Sequence, residues 1–467
     1  MLQNGLIGLR TSLVERRVSS REVVTATLAA IDREADLGAF LTLDPEGALA
    51  AAAAADRRLA NGETGPLLGV PIGVKDLHET GGLRTTYGSL AFRDNVPEED
   101  CIVVARLRAA GAVIVGKTNT PAFGLLGETK NRLGPEARNP CDRSLTTGGS
   151  SGGSAAAGAA GLLPGAPGTD SAGSISAPSS MCGTFGMKPT LGRIPTWPIP
   201  DDSMLFLTHG PIAATVAVGV ALLEVMAGHD ARDPLARRDA LPDLHAELAA
   251  ADRPSPLAGL RVAWSPTLDW FAVDDDVRAI THAAARAVAG LGAEVDEAAP
   301  QLEHPMDLYF PIFGVDTRRS VLPLLDPGDL LPEITEETAR YPVLTAEEHV
   351  GLLARLWRFR SGLADFFTRY DVLITPATAT AAFPVSQPPS RIGGVDVEPG
   401  WMSFMPFSSP WNLGTHPTVS VPAGVTPTGR PVGVMVVAAP GREDLVVRVA
   451  AAFERAHPWA VPQAAYA

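Results

Sequence analysis

Thr146-Thr147-Gly148-Gly149-Ser150-Ser151-Gly152-Gly153-Ser154 and Gly168-Thr169-Asp170-Ser171-Ala172-Gly173-Ser174-Ile175 together set the reading of this chain. Both runs lie within 145–186, a stretch dense in Gly, Ser and Ala with few bulky or charged side chains. A flexible linker is one reading of such composition. Two features argue against it. Small apolar residues and Pro164 are mixed in, and the stretch ends in Cys182-Gly183-Thr184-Phe185-Gly186-Met187, which has the character of a buried segment. Tight packing of backbone against backbone explains the glycines better.

Outward from that stretch the chain alternates helix and strand. Upstream, Leu68-Gly69-Val70-Pro71-Ile72-Gly73-Val74 is a short apolar run that ends in Lys75-Asp76. Its length and glycines predict a buried strand whose end delivers Lys75. Asp100 to Ala110 reads as a helix and Ala112 to Val115 as a strand. Nearer the N-terminus, Ser19 with Glu22 forms a capping box for a helix to Arg33, and a second helix covers Pro45 to Ala60. Downstream, Pro211 to Ala227 reads as a helix. Strands at Arg261 to Trp264 and Glu294 to Asp296 flank a helix from Asp274 to Leu291. A long helix at Thr345 to Tyr370 leads into a strand at Asp371 to Thr375. Late strands fall at Val419 to Val421 and Val432 to Val437, and a final helix at Glu443 to Ala456. Residues 300–345 and 380–416 are rich in proline and irregular, which predicts loops and short helices over one end of the sheet. The alternation predicts an α/β fold: a single large domain over residues 1–467, with one central sheet flanked by helices. There is no internal repeat.

Composition narrows the class. The chain has 467 residues, 46% hydrophobic and 19% charged, which suits a soluble globular protein with a substantial core. Its formal net charge of -14 disfavours a phosphate backbone as partner, so no nucleic acid is expected. Residues Met1 to Glu15 lack a signal-peptide pattern, and the Ala-rich run Ala48 to Ala55 is too short to span a membrane. Cys101, Cys141 and Cys182 show neither metal-ligand spacing nor a disulfide framework. A cytoplasmic protein without membrane partners is the expectation.

Lysine usage is sharper. Lys75, Lys117, Lys130 and Lys188 are the only lysines among 38 basic residues, and all lie within 75–188. Arginine serves nearly everywhere else. Lysine can lose its proton when buried, whereas arginine effectively cannot. These lysines either fit tight places or are kept for chemistry.

A serine such as Ser174, set just after small residues, leaves neighbouring N–H groups free to point at an oxyanion. Its hydroxyl is a weak nucleophile and needs a base. A buried lysine with a lowered pKa can serve.

In these residues the chain resembles the amidase signature family of serine amidohydrolases. The match rests on Gly69 through Asp76, Gly148 through Ser154, and Gly168 through Ile175 with Pro178, Cys182-Gly183 and Lys188-Pro189-Thr190. Val115-Gly116-Lys117-Thr118-Asn119, Ala227-Gly228-His229-Asp230 and Ser420-Val421-Pro422-Ala423-Gly424 support it. The strong part covers about 65–230.

The resemblance implies the amidase signature fold, with a mixed sheet, and cleavage of a carboxamide in a small-molecule substrate. Ester or carbamate cleavage would use the same chemistry. Lys75 is then the base, Ser150 a proton relay on a cis peptide after Gly149, and Ser174 the nucleophile that forms an acyl-enzyme. Backbone N–H groups of Ser171, Ala172, Gly173 and Ser174 form the oxyanion hole, and Ser151 and Asp170 support the site. Neither a metal nor an organic cofactor is implied. A homodimer is compatible with the sequence.

Two positions depart from the family pattern. Ala172 stands where a glycine is usual, and alanine is strained there if φ is positive. Ser176 stands where an arginine commonly pairs with the aspartate matching Asp170, so Asp170 needs other donors.

Other readings stay open. Gly148-Gly149-Ser150-Ser151-Gly152 also satisfies the G-x-S-x-G nucleophile elbow, with His209 and His416 as candidate partners, but its strand-before, helix-after context is poor. Within the family the alternatives are a non-catalytic binding homologue and one component of a glutamine-dependent aminoacyl-tRNA amidotransferase. Phe310, Phe313, Trp401, Phe404, Trp411 and His416 fall in or beside the irregular segments and are candidates for the wall of an apolar substrate pocket.

Overall fold

The strand Pro431–Ala438 shows how the centre is built. In the computed structural model its Val434, Val436 and Ala438 belong to one apolar cluster, while Met435 and Val437 belong to another. Apolar residues on both faces at period two mark a strand buried on both sides. The structure describes residues 5–198, 205–398 and 400–460. The ends of the expected 1–467 domain, 1–4 and 461–467, lie outside the described residues, as do the first residues of the Met1 to Glu15 segment.

Eight strands form the main sheet. Their order is Glu294–Glu297, Arg261–Trp264, Val372–Pro376, Pro431–Ala438, Thr418–Val425, Phe185–Lys188, Thr208–Ala213, Gly165–Asp170. The sheet is mixed. Arg261–Trp264 pairs parallel with both of its neighbours, and the remaining pairs are antiparallel. Helices Val216–Met226 and Glu443–Ala456 contribute to the apolar cluster on one face, and helices Met306–Ser320 and Ala346–Arg369 to the cluster on the other. This is the expected α/β architecture.

Lys75 ends a buried strand, as expected, and that strand lies outside the central sheet. This strand, Pro71–Lys75, belongs to a separate three-stranded sheet, beside Val113–Thr118 and, beyond that, Phe40–Leu43. Strand length and burial are readable locally, but sheet membership depends on distant pairing.

Local signals placed many elements well. Ser19 and Glu22 close a full capping box on Ser20–Arg33, and Thr345 with Glu348 does so on Ala346–Arg369. Helices Pro45–Ala60 and Glu443–Ala456 fall where expected. Two readings differ. The helix expected at Pro211 to Ala227 divides into strand Thr208–Ala213 and helix Val216–Met226, the latter capped by Thr215. A short apolar run carries no period that separates these states. In the segment expected to be irregular, Met306–Ser320 is a 15-residue helix despite Pro311 inside it. Leu308, Tyr309, Ile312 and Phe313 bury one side of this helix, and that packing overrides the lost hydrogen bond.

The glycine-rich stretch is folded throughout. A Cβ on Gly153 would lie 2.3 Å from the Asn119 nitrogen and 2.6 Å from the Ala39 oxygen. One on Gly152 would lie 2.2 Å from Thr147 Oγ1 and 2.3 Å from Thr129 Oγ1. Close approach of neighbouring backbone at Gly153 and of two threonine side chains at Gly152, not flexibility, requires glycine at these two positions.

Candidate active site

Three segments converge. The end of strand Pro71–Lys75 supplies Lys75, the loop after strand Asp142–Thr146 supplies Ser150, and the loop after strand Gly165–Asp170 supplies Ser174. The two loops are joined directly, because the Ser151 N–H donates to the Ser174 carbonyl at 3.1 Å. Thr129, which the sequence did not single out, holds the first loop from below. Its hydroxyl donates to the Gly148 carbonyl at 2.8 Å and accepts from the Gly152 N–H at 3.0 Å. The Gly149–Ser150 peptide bond is cis.

Lys75 is fully buried, and its Nζ sits among three hydroxyls: Ser150 at 2.8 Å, Ser151 at 2.9 Å and Thr169 at 2.8 Å. Burial holds its pKa well below the ordinary lysine value, against a weaker opposing pull from Asp170. The Ser151 hydroxyl donates to the Thr169 carbonyl at 3.3 Å, so toward Lys75 it accepts. The other three lysines are buried too. Lys117 donates to the His78 carbonyl and to the hydroxyls of Thr80 and Thr85, and Lys188 to the His416 carbonyl. Burial pushes both down to about 8. Lys130 pairs with Glu333 at 2.8 Å.

Asp170 organises the Ser174 loop. Its carboxylate accepts from the N–H groups of Gly173 at 2.7 Å and Ile175 at 2.8 Å, and from Asn412 Nδ2 at 3.0 Å. The Ser176 N–H also donates to Asp170, at 3.4 Å, and Asn412 supplies the side-chain donor, to which no local signal in the sequence pointed. Gly173 requires a correction. Its N–H is committed to Asp170, so of the four expected oxyanion donors only Ser171, Ala172 and Ser174 keep amides without a hydrogen-bond partner among the described residues. Ala172 is not strained, because the positive φ of this loop, 114°, falls on Gly173.

Ser150, Ser174, Ser171 and Ala172 open onto a cavity of about 370 Å³. Two aromatic groups line it. Tyr87 stacks on Phe123 at 5.6 Å with Phe92 against both, and Tyr309 stacks on Phe313 at 5.4 Å beside Trp401. The first group was missed, because single aromatics spread over 87–123 carry no pattern.

The candidate pocket residues divide. Phe313 and Trp401 line the cavity, whereas Phe310, Phe404, Trp411 and His416 lie outside its wall. Phe310 leaves the same helix in another direction and packs edge-on to Tyr341 at 5.1 Å, and Phe404 packs on Phe383 at 4.9 Å. Trp411 and His416 are buried behind the site, with the His416 ring against Phe367 at 5.0 Å.

Neither ring nitrogen of His416 has a partner among the described residues, and burial pushes its pKa down to about 3. Below pH 6.5 the unfolded chain binds a proton here that the folded chain refuses. The associated stability is therefore complete above about pH 6.5 and is lost as pH falls toward 3. His416→Phe keeps the ring packing and removes the unpaired nitrogens. We expect a higher Tm at pH 7.5, a larger gain at pH 5, and near-normal activity. Thermal unfolding at the two pH values checks this, and an unchanged pH slope contradicts it.

The comparisons with known proteins agree with one another. A family model for amidases matches residues 22–447. An acylamidase of Rhodococcus erythropolis is 38% identical over 466 residues, covering 97% of this chain and 95% of that protein. One subunit of the glutamyl-tRNA(Gln) amidotransferase of Acidothermus cellulolyticus is 35% identical over 494 residues, covering 98% and 95%. The solved structure of a bacterial aryl acylamidase of the amidase signature family superposes with a TM-score of 0.89 at 27% identity, over 98% of this chain and 96% of that one. From fold, sequence and family model alike, the chain belongs to the amidase signature family and is a hydrolase of carbon–nitrogen bonds.

Proposed function

We propose that this enzyme cleaves a carboxamide by acyl transfer to Ser174, with Lys75 as base and Ser150 as relay. The observation that carries the reading is Lys75: a fully buried amine touching three hydroxyls and no carboxylate. A neutral amine has two protons to donate and one lone pair to accept. With Ser151 placed as an acceptor, the lone pair is left for Ser150 or Thr169, and the relay role assigns it to Ser150.

Attack then proceeds in balanced steps. The Ser174 proton passes to Ser150 Oγ while the Ser150 proton passes to Lys75 Nζ, and the Ser174 oxygen bonds to the carbonyl carbon. In this reading the amides of Ser171, Ala172 and Ser174, which have no hydrogen-bond partner among the described residues, donate to the oxyanion. Collapse breaks the C–N bond, and the departing amine takes the proton back through Ser150. Water repeats the sequence on the acyl-enzyme and releases the acid.

The aromatic cavity favours a small substrate with an apolar or aryl group, and esters or carbamates fit the same chemistry. Three cysteines without disulfides favour the cytoplasm. Among the described residues no helix is long and apolar enough to cross a membrane. The Acidothermus relative favours a second reading, glutamine-dependent amidation within a complex. Glutaminase activity and copurifying partner proteins would reveal it.

A fluorophosphonate probe tests the proposal. Labelling is expected at Ser174 in the wild type and is lost in Ser174→Ala, alongside hydrolysis of aryl amides. Labelling at another residue contradicts the proposal.

A further inference from the structure

At one end of the cavity the side-chain oxygens of Glu79, Tyr87 and Thr196 are left as acceptors, beside the indole N–H of Trp197. A chain of hydrogen bonds fixes this. His78 Nδ1 lies 3.3 Å from the Lys75 carbonyl, which can only accept, so Nδ1 carries the proton. His78 is buried beside Lys75 and Lys117 and is held neutral, so its Nε2 is bare. It accepts from His209 Nδ1 at 3.2 Å. His209 is likewise pushed down, to about 4, by burial, which leaves its Nε2 bare. That nitrogen accepts from the Thr196 hydroxyl at 3.1 Å. Thr196 has then spent its only proton and shows lone pairs to the cavity it lines.

Glu79 and Tyr87 extend the same end. The Tyr87 hydroxyl donates to Glu79 Oε1 at 2.8 Å, so it too offers only lone pairs elsewhere. Glu79 is half-buried, lines the cavity and makes no salt bridge among the described residues. Backbone pairing puts these groups together. The Cys101 N–H donates to the Glu79 carbonyl, and the next residue's N–H, that of Ile102, donates to the Trp197 carbonyl beside Thr196. Cys101 adds only a weak thiol donor.

We infer that this end, formed by Glu79, Tyr87 and Thr196, receives an ammonium group of the substrate, so that the enzyme acts on amides that also carry a protonated amine. A carboxylate, an ammonium's natural partner, stands with two acceptors, and the flanking aromatic Tyr87–Phe92–Phe123 group suits the attached hydrocarbon or a cation–π contact. A substrate carboxylate would meet the Glu79 carboxylate and the lone pairs of Tyr87 and Thr196, with only the Trp197 indole N–H and the weak Cys101 thiol to donate, so anionic amides are disfavoured by the same arrangement. The net charge of -14 draws cations toward the protein. The inference rests on the proposal that this cavity is the substrate site.

Binding reads it without turnover. Ligand-observed NMR at pH 7.5 would compare n-hexylammonium, 1-hexanol and hexanoate. Hexylammonium is expected to bind at least about tenfold more tightly than either of the others. Glu79→Gln keeps an acceptor for Tyr87 and should reduce that preference to about threefold or less. Thr196→Val, which removes the acceptor with little change of shape, should weaken hexylammonium and leave hexanol nearly unchanged. Equal binding of the three ligands to the wild type, or a preference intact in both variants, overturns the inference. If Ser174 fails to label while the ammonium preference holds, the acyl-transfer proposal fails and this one stands.

Discussion

Ser174→Ala is expected to abolish amide hydrolysis, with kcat reduced by about 10⁴-fold or more and Tm essentially unchanged. The size follows from the proposed role. Without the hydroxyl there is no atom to form the acyl-enzyme, and the remaining groups can only bind and polarise the amide. Stability is spared because Ser174 is half-buried at the cavity surface and its side chain makes no structural hydrogen bond among the described residues. What the loop needs is Ser174's backbone carbonyl, which holds the Ser151 N–H, and alanine keeps it. Steady-state kinetics on an anilide, with a melting curve on the same sample, checks both halves. Retention of most activity would remove Ser174 from the mechanism.

Lys75→Met and Lys75→Arg are both expected to lower kcat by about 10³-fold or more. Methionine keeps the apolar stem and removes the amine. Arginine keeps a positive charge but cannot give up its proton, so it cannot act as a base. Loss in both variants is the mark of a base; activity retained in Lys75→Arg would mark a purely electrostatic role. The wild-type rate should also fall as pH drops through the folded-state pKa of Lys75, which burial holds well below the ordinary lysine value. The stability sign is fixed by the same shift. Between that folded pKa and the ordinary lysine value the unfolded chain binds the proton and the folded chain does not. Stability from this group therefore rises with pH across that window and is lost as pH falls through it. Lys75→Met removes this slope, which denaturant unfolding at several pH values would register.

How much of this was legible in the sequence depends on how local each signal was. The capping box at Ser19 fixed one helix, because the whole motif spans four residues. The concentration of lysine in 75–188 pointed to unusual surroundings, and all four lysines are buried. The glycine-rich loops were readable as tight packing from Pro164 and the small apolar residues among the glycines and from the buried character of Cys182 to Met187. Features made by distant chain were not. Asn412 reaches Asp170 across 242 residues, and an isolated asparagine announces nothing of its partner. The separate sheet of Lys75 and the helix through Pro311 both depend on tertiary pairing. The commitment of the Gly173 amide to Asp170 was hidden too, since a count of small residues before a serine does not say where each N–H points.

With only four lysines in the chain, ¹³C-lysine labelling gives a spectrum simple enough to test the central claim, that Lys75 is an uncharged amine in the folded enzyme. The Cε resonance absent from Lys75→Met identifies the residue. At pH 7.5 this resonance is expected at the shift of a neutral amine, moving toward the ammonium value only on acidification. A resonance at the ammonium position at pH 7.5, titrating near the ordinary lysine value, would contradict it.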